Sequence, residues 1–258
     1  MEKTLEFADL LRLMEERSAA FRAAVAAAPS LDVRVPTCPE WTLFDLVQHL
    51  CEGRRRWAAT VAAGPADGPV ALPDPVVPRE RAALLAWFTA ETEGLLAALR
   101  EAGPDRGCWT WWGPSQSPST TGAVARHQLQ QVAVHTYDAQ VAVGDPQPLP
   151  DAVALDGVEE FLTTCVATTI AWPHEPAVID YHATEGGSWR IRFSADGART
   201  TRLSAPADGT RPESAYVCVR GTADELVKFF YGRITMDSLH VDGDRRVLDQ
   251  LIAWEPEE

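Results

Sequence analysis

The sequence predicts an α+β protein of two domains, because a long helical half precedes a shorter region of alternating strands. Hydrophobic residues make up 46% of the 258 residues, which is enough to form a packed core. Apolar residues first recur at helical spacing and then, from Ala177 onward, alternate as in strands. Helices followed by strands favour separate units. We therefore expect a helical domain at 1–172 and a small α+β domain at 173–258.

Two helices are predicted in the first quarter of the chain. The first is Ala-rich and covers about Leu5–Ala28. The second begins after Thr42, a good N-cap, because Asp45 lies three residues later as in a capping box. This second helix should run to about Ala63 and carries His49.

Three further helices are predicted at Pro78–Arg100, Thr121–Val143 and Asp151–Ala171. The loop between the first two of these is rich in Gly, Pro and Ser, yet contains Trp109, Trp111 and Trp112. So much ring surface must pack over something, either the end of the helical domain or a ligand. We therefore regard Trp111 and Trp112 as candidate cofactor contacts.

The C-terminal third alternates in the manner of an antiparallel sheet. Its predicted strands are separated by turns at Gly186–Gly187, Asp196–Gly197 and Asp208–Gly209. The predicted strands are Val178–Ala183, Trp189–Phe193, Ala215–Val219 and Ser238–Val241, with a helix after Thr222 and a last helix at Asp244–Trp254.

Charge and composition argue against several classes of function. The net charge is −14, and the one cluster of basic residues, Arg54–Arg56, is interpreted as the solvated face of a helix, so we expect no nucleic-acid partner. No signal-peptide pattern or apolar run of membrane-spanning length is present. The five cysteines are scattered without CxxC spacing, which is typical of a reduced protein. We expect a cytoplasmic protein.

Two segments carry residues suited to metal chemistry. His49 lies on the second helix, and Gln131 and His135 are one turn apart on the fourth. A histidine from one helix and an i, i+4 pair from another can hold one metal ion inside a helix bundle. The alternative is that both histidines are ordinary core residues. Gln131 offers only a neutral carbonyl oxygen and is a poorer ligand than a carboxylate.

Neighbouring polar residues leave other options open. His127 is two turns from His135, about 12 Å along the axis, too far to share its ion, and is expected at the surface or rim. Glu52 could supply a carboxylate but is expected to face solvent. Asp138 could orient the imidazole of His135, or form a cap or a surface pair. Arg233 could hold a substrate carboxylate or complement a helix C-terminus.

These segments resemble a known family. The run Pro36–Leu50 is similar to the Pro-x-Cys-Pro-x-Trp-x-x-x-x-Leu-x-x-His-Leu motif of the mycothiol-dependent maleylpyruvate isomerase family, and Val134–Ala139 is similar to its second histidine motif. Gly221–Arg233 and Val241–Asp244 resemble its C-terminal domain. The resemblance implies a DinB-like four-helix bundle followed by a domain like a sterol carrier protein.

The resemblance also implies a chemistry. In the family a histidine, a glutamate and a histidine hold a divalent metal, usually zinc; His49 and His135 match the histidines, and Gln131 stands at the glutamate position. The metal would bind mycothiol as a thiolate, which adds to a cis double bond, allows rotation and is eliminated to give the trans product. An arginine of the second domain would hold the substrate carboxylates, and Arg233 is its match.

Two hypotheses follow. The first is a metal- and mycothiol-dependent isomerase or thiol transferase acting on a small unsaturated carboxylate, with zinc, or else nickel or manganese, on His49, Gln131 and His135. The second is a degenerate, non-catalytic member of the family that binds a small ligand or a partner without metal. Under the first hypothesis we expect a small-molecule substrate, no nucleic acid, no membrane, and a monomer or homodimer.

Overall fold

The computed structural model describes residues 5–203 and 215–254. The predicted turn at Asp208–Gly209 lies outside these described residues. Within them, contacts divide the chain into two compact units. One contains residues 5–111 and 119–149, and the other contains residues 112–118, 150–203 and 215–254.

The first unit consists mainly of four long helices. α1 packs chiefly on α4, and α2 chiefly on α3, so that their apolar faces meet in a common core. The helices are α1 (Phe7–Ala27), α2 (Leu43–Ala63), α3 (Arg81–Ala102) and α4 (Thr121–Ala142). The helical half predicted from the sequence is confirmed.

The starts of α2 and α3 depend on local capping. The Thr42 side chain accepts a hydrogen bond from the Asp45 amide while the Asp45 carboxylate accepts one from the Thr42 amide, which confirms the predicted capping box. α3 begins three residues later than predicted, at Arg81, because the Glu80 carboxylate accepts a hydrogen bond from the Ala83 amide at 2.9 Å and caps the helix there.

A short antiparallel hairpin, not predicted from the sequence, precedes α2. It pairs β1 (Arg34–Val35) with β2 (Cys38–Thr42). The amide of Leu43 donates to the carbonyl of Val33 at 2.9 Å, and this hydrogen bond joins the start of the hairpin to the first turn of α2. The motif containing Cys38 and Trp41 is therefore held against the helix that carries His49.

The interpretation of the Arg54–Arg56 run as a solvated face is wrong for Arg54. Its side chain is buried, donates to the hydroxyls of Ser18 at 2.8 Å and of Thr92, and lies 4.3 Å from the centre of the Phe88 ring. Burial lowers the pKa of Arg54 to about 10. The side chain thus links α2 to α1 and α3 within the core.

Among the described residues, α3 is the one helix long and apolar enough to pass a test for a membrane span based on length and composition. Core helices of soluble proteins pass the same test. The side chains of Leu84, Phe88, Leu95 and Leu99 are buried, and the helix packs on α2 and α1. Packing within the helical unit accounts for its apolar face.

The second unit combines a five-stranded sheet with helices. The strand order is β5-β4-β3-β6-β7. The elements are α5 (Asp151–Phe161), a π-helical turn (Leu162–Val166), β3 (Ala177–Ala183), β4 (Ser188–Ser194), β5 (Gly197–Arg202), β6 (Ala215–Gly221), α6 (Ala223–Phe230), a 3-10 turn (Met236–Ser238), β7 (His240–Gly243) and α7 (Arg246–Ala253). The predicted α+β class is confirmed.

The sheet is mixed and not wholly antiparallel as predicted. β3 and β6 pair in parallel, with Ile179 opposite Val217, whereas the other neighbours are antiparallel. Alternating strands separated by turns predict hairpins, but β6 follows the antiparallel pair β4–β5 and lies beside β3 in the same direction.

The fifth helix is shorter than predicted, and it belongs with the sheet. It ends at Phe161 and widens into the π-helical turn, where the Thr163 hydroxyl donates to the carbonyls of Glu159 and Glu160. α5 packs against α6, so contacts group residues from Pro150 onward with the sheet, whereas the sequence placed the boundary at residue 172.

Gly197 supports the close approach of β5 to the segment after α5. Its φ is +106°, and a Cβ atom there would lie 2.0 Å from the carbonyl oxygen of Thr168. We expect Gly197→Ala to lower the free energy of unfolding by about 1–3 kcal/mol or more. Denaturant titration measures this change. Gly53→Ala, in the open interior of α2, is the matched control and should stabilise by about 0.5–1 kcal/mol. Equal effects would contradict the steric account.

Candidate metal centre

The two histidines singled out from the sequence lie side by side. The ring centres of His49 and His135 are 5.2 Å apart, and the rings are nearly perpendicular. The indole of Trp41 lies against both rings, with its ring centre 4.7 Å from that of His49 and 6.1 Å from that of His135. Residues 86 positions apart in the chain therefore converge within the helical unit, at α2 and α4.

Asp138 organises this centre from one turn further along α4. Its buried carboxylate lies 2.8 Å from Nδ1 of His135. The carboxylate also accepts a hydrogen bond from the Thr37 hydroxyl at 2.6 Å and lies 3.8 Å from Sγ of Cys38. Of the predicted roles for Asp138, the structure therefore selects the orientation of an imidazole over a cap or a surface pair.

The contact with Asp138 determines which nitrogen of His135 is available. A hydrogen bond between Nδ1–H and a carboxylate places the imidazole proton on Nδ1 and leaves the lone pair of Nε2 for a ligand. The same arrangement fixes the ring orientation, since the carboxylate is itself held by the hairpin through Thr37. The Nε2 atom of His135 can therefore act as a metal ligand, with the orientation of its ring fixed.

The electrostatics of His49 favour its neutral form. Burial against its neighbours, then the charges of His135 and Arg56, lower the pKa of His49 to about 4. The side chain nevertheless retains a solvent-exposed edge. A neutral imidazole open on one side is the form in which histidine binds metals.

Gln131, the third predicted ligand, is the weakest donor of the three. Gln131 is half-buried on α4 one turn before His135, and its amide makes no hydrogen bond with the described part of the chain. Glu52 accepts a hydrogen bond from Gln48 at 2.8 Å and lies 3.8 Å from Arg56, so it is engaged along α2. Over the described ranges, no three His, Cys, Asp or Glu side chains are grouped to hold a metal. The imidazoles fit a divalent ion, and the amide oxygen fits it less well.

His127 is not at the surface or rim as predicted. Its imidazole is buried, with its ring centre 5.7 Å from that of Trp111 and 6.5 Å from that of Trp57. Trp57 also stacks on Trp109 at 6.3 Å. The tryptophan-rich loop thus packs over His127, which lies on α4 one turn before Gln131.

The two tryptophans predicted as cofactor contacts have different surroundings. Trp111 is 39% exposed and belongs to the helical unit. Trp112 is 1% exposed, belongs to the second unit, and its indole N–H donates to the carbonyl of Pro118 at 3.3 Å. Trp111 therefore has ring surface to offer a ligand, whereas the ring of Trp112 is occupied by its own core.

Arg233 lies in the second unit, just beyond the end of α6. Its Nη1 donates to the carbonyl of Tyr231, and its amide donates to the carbonyl of Lys228 at 2.7 Å. This places the guanidinium at the C-terminal carbonyl groups of the helix, which is the second of the two roles predicted for it. Its role toward a substrate stays a prediction.

Three residues of the centre, Thr37, Cys38 and Trp41, are not among the site residues predicted from the sequence. Both Thr37 and Cys38 contact the carboxylate of Asp138. The signal was the motif itself, since its first half precedes the helix that carries His49 by only a few residues.

Comparison with known proteins agrees with these motifs. Residues 11–140 match the family model described as Mycothiol maleylpyruvate isomerase N-terminal domain, and residues 152–250 match the MDMPI C-terminal domain. The chain belongs to the mycothiol-dependent maleylpyruvate isomerase family. No curated protein matches it in sequence.

Two solved structures share the fold of this protein. The crystal structure of the mycothiol-dependent maleylpyruvate isomerase is similar with a TM-score of 0.60 at 15% identity, covering 94% of this chain and 96% of that one. A variant of that isomerase with one histidine replaced by alanine gives the same values. At this identity the likeness concerns the fold and leaves the reaction of this chain to its own residues.

The contacts of Asp138 predict that its negative charge contributes to the stability of the fold. We expect Asp138→Asn to lower the free energy of unfolding by about 1.5–3 kcal/mol, because hydrogen bonds from Thr37 and His135 to a buried carboxylate are charge-assisted. Denaturant titration measures the change. Asp105→Asn, at an exposed position of the same unit, should change stability by less than about 0.5 kcal/mol. A neutral effect at position 138 would contradict the anchoring role.

Proposed function

We propose that this protein is a metal-dependent enzyme that uses a low-molecular-weight thiol, mycothiol in the first instance, for cis-trans isomerisation or thiol transfer on a small unsaturated carboxylate. The observation that carries the proposal is the approach of the His49 and His135 rings to 5.2 Å, with Asp138 hydrogen-bonded behind one of them. A core pair of histidines would need neither the exposed edge of His49 nor a buried carboxylate on His135.

His49, Gln131 and His135 would hold the divalent ion, with zinc first and nickel or manganese as alternatives. When bound, such an ion lowers the pKa of a coordinated thiol, so that the thiol is nucleophilic at neutral pH. With an amide in place of a carboxylate, the centre would carry one more positive charge than a set of two imidazoles and a carboxylate. Compared with such a carboxylate centre, we expect this one to bind the ion more weakly, and the bound ion to be a stronger Lewis acid.

The chain's own residues prepare this centre. Asp138 holds the proton on Nδ1 of His135 and so presents Nε2. The lowered pKa of His49 keeps its imidazole neutral without competition from protons at pH 7. The indole of Trp41 lies against both rings and helps to hold their orientation. Binding and orientation are thus supplied before any substrate arrives.

Two further side chains are proposed to contact the thiol or the substrate. Trp111 offers exposed ring surface to the thiol or the substrate. Arg233 is proposed to hold a substrate carboxylate, in line with the family resemblance and the chemistry of its guanidinium. We propose that the protein acts in the cytoplasm on a small molecule, as a monomer or homodimer, without nucleic acid or membrane.

One observation favours a second candidate function. In the described part of the chain no group of three strong metal-binding side chains is found, and Gln131 stands where the family resemblance implies a glutamate. A protein that had lost its metal in this way would retain the fold and could bind a small ligand or a partner without catalysis. The metal content of the native protein separates the two candidates.

The metal proposal predicts stoichiometric loading that depends on both histidines. We expect His49→Ala and His135→Ala to weaken zinc binding by more than the roughly 10–100-fold typical of losing an outer-shell partner. Competition with a chelating dye measures the affinity, and elemental analysis measures the content. His240→Ala, an exposed histidine on β7, is the matched control and should bind as the unaltered protein does.

The role of Gln131 has its own test. We expect Gln131→Glu to bind zinc more tightly, because a carboxylate replaces a neutral amide as the third donor. Gln140→Glu, further along α4, supplies the same change of charge without a ligand position. Equal gains in the two variants would indicate a general electrostatic effect. A native protein that cannot be loaded with any of the three metals would favour the non-catalytic candidate.

A further inference from the structure

A cavity of about 810 Å³ lies within the second unit, at one end of β4 and β5. This volume is in the range of pockets that bind small molecules. Its polar lining includes Arg192, Arg199, Gln116, Ser115, Thr168 and Asp196. None of these residues belongs to the candidate metal centre or to the proposed substrate contacts.

The two arginines face each other across the antiparallel β4–β5 ladder. Arg192 and Arg199 are direct Cα partners in the register, and both side chains are exposed. Residues in direct opposition have Cβ atoms about 4.5–5.5 Å apart, and like charges at that spacing repel and weaken the pair of strands. On its other side Arg192 is opposite Val178 of β3, which offers no compensating charge.

Neither guanidinium is neutralised by the described residues. The side chain of neither Arg192 nor Arg199 makes a hydrogen bond, ion pair or ring contact there. Arg190, two residues earlier on the same strand and face, contrasts with them because Asp180 binds it through two contacts of 2.7 and 2.6 Å. Asp196 borders the cavity but lies beyond ion-pair distance of both arginines, so the cavity retains one net positive charge from these three side chains.

The wall beside this pair is tightly built. Thr168 and Ala198 exchange two backbone hydrogen bonds of 2.9 Å, at the point where Gly197 permits the close approach. The Gln116 side chain donates to the Thr200 carbonyl at 3.1 Å and accepts from its amide at 2.5 Å. Because these contacts already cover the edge strand β5, protection of that edge does not explain the paired arginines.

We propose that Arg192 and Arg199 form a binding site for a small dianion, whose oxygen atoms bridge the two guanidinium groups. The ligand chemistry is that of a phosphate group or a dicarboxylate, because both present several acceptor oxygens to planar, multiply donating guanidinium groups. Binding removes the repulsion across the ladder. The chain as a whole carries a net charge of −14, which repels anions. The affinity for a dianion would therefore come from the two arginines alone.

The test is calorimetric titration of the full-length protein at constant ionic strength with inorganic phosphate, succinate and acetate in separate experiments. We expect saturable binding of phosphate, of succinate or of both, and much weaker binding of the monoanion acetate. Phosphate alone would identify a phosphorylated ligand as the source, and succinate alone would identify a dicarboxylate. Either Arg192→Gln or Arg199→Gln should weaken binding by at least about tenfold, since each removes a charge-assisted contact.

Arg220→Gln is the matched control, because Arg220 is an exposed arginine at the other end of the same sheet, opposite His240 of β7. It changes the net charge equally and should leave the affinity within about twofold. Thermal unfolding without added dianion verifies that each variant folds. Failure of both dianions to bind, or equal weakening in all three variants, would overturn the proposal. Neither result depends on the metal content of the helical unit.

Discussion

The buried carboxylate of Asp138 is the contact on which the rest of the centre depends. It bonds to His135 on its own helix and to Thr37 in the hairpin before α2, and so ties together two parts of the chain about 100 residues apart. Since the hairpin is also fastened to the start of α2, the distance between His49 and His135 is set by this contact. Three consequences follow from one side chain: a defined tautomer, a fixed ring and a fixed separation.

Several features could be predicted from the sequence because they rest on local chemistry. The Thr42–Asp45 capping box and the i, i+3 and i, i+4 spacings around His135 are encoded within a few residues. Features that rest on distant partners could not. Thr37 gains its role only through Asp138, Arg54 is buried through Ser18 and Thr92, and β6 joins β3 in parallel across the intervening meander.

The two units differ in whether their singled-out charged side chains have partners. In the helical unit, the buried carboxylate of Asp138 is bonded to both His135 and Thr37. In the second unit, Arg192 and Arg199 are exposed and lack partners in the part of the chain that the structure describes. Under the proposed function, the first arrangement would present two imidazoles to a metal cation, and the proposed anion site would present two guanidinium groups to an anion.

X-ray absorption spectroscopy at the zinc edge of the zinc-loaded protein tests the convergence of His49 and His135 most directly, because scattering from imidazole carbons counts the histidines on each ion. The geometry predicts two imidazoles per zinc at about 2.0–2.1 Å, together with oxygen or nitrogen donors and no protein sulfur. A spectrum with one imidazole or none, or with sulfur from Cys38 in the protein alone, would contradict the account.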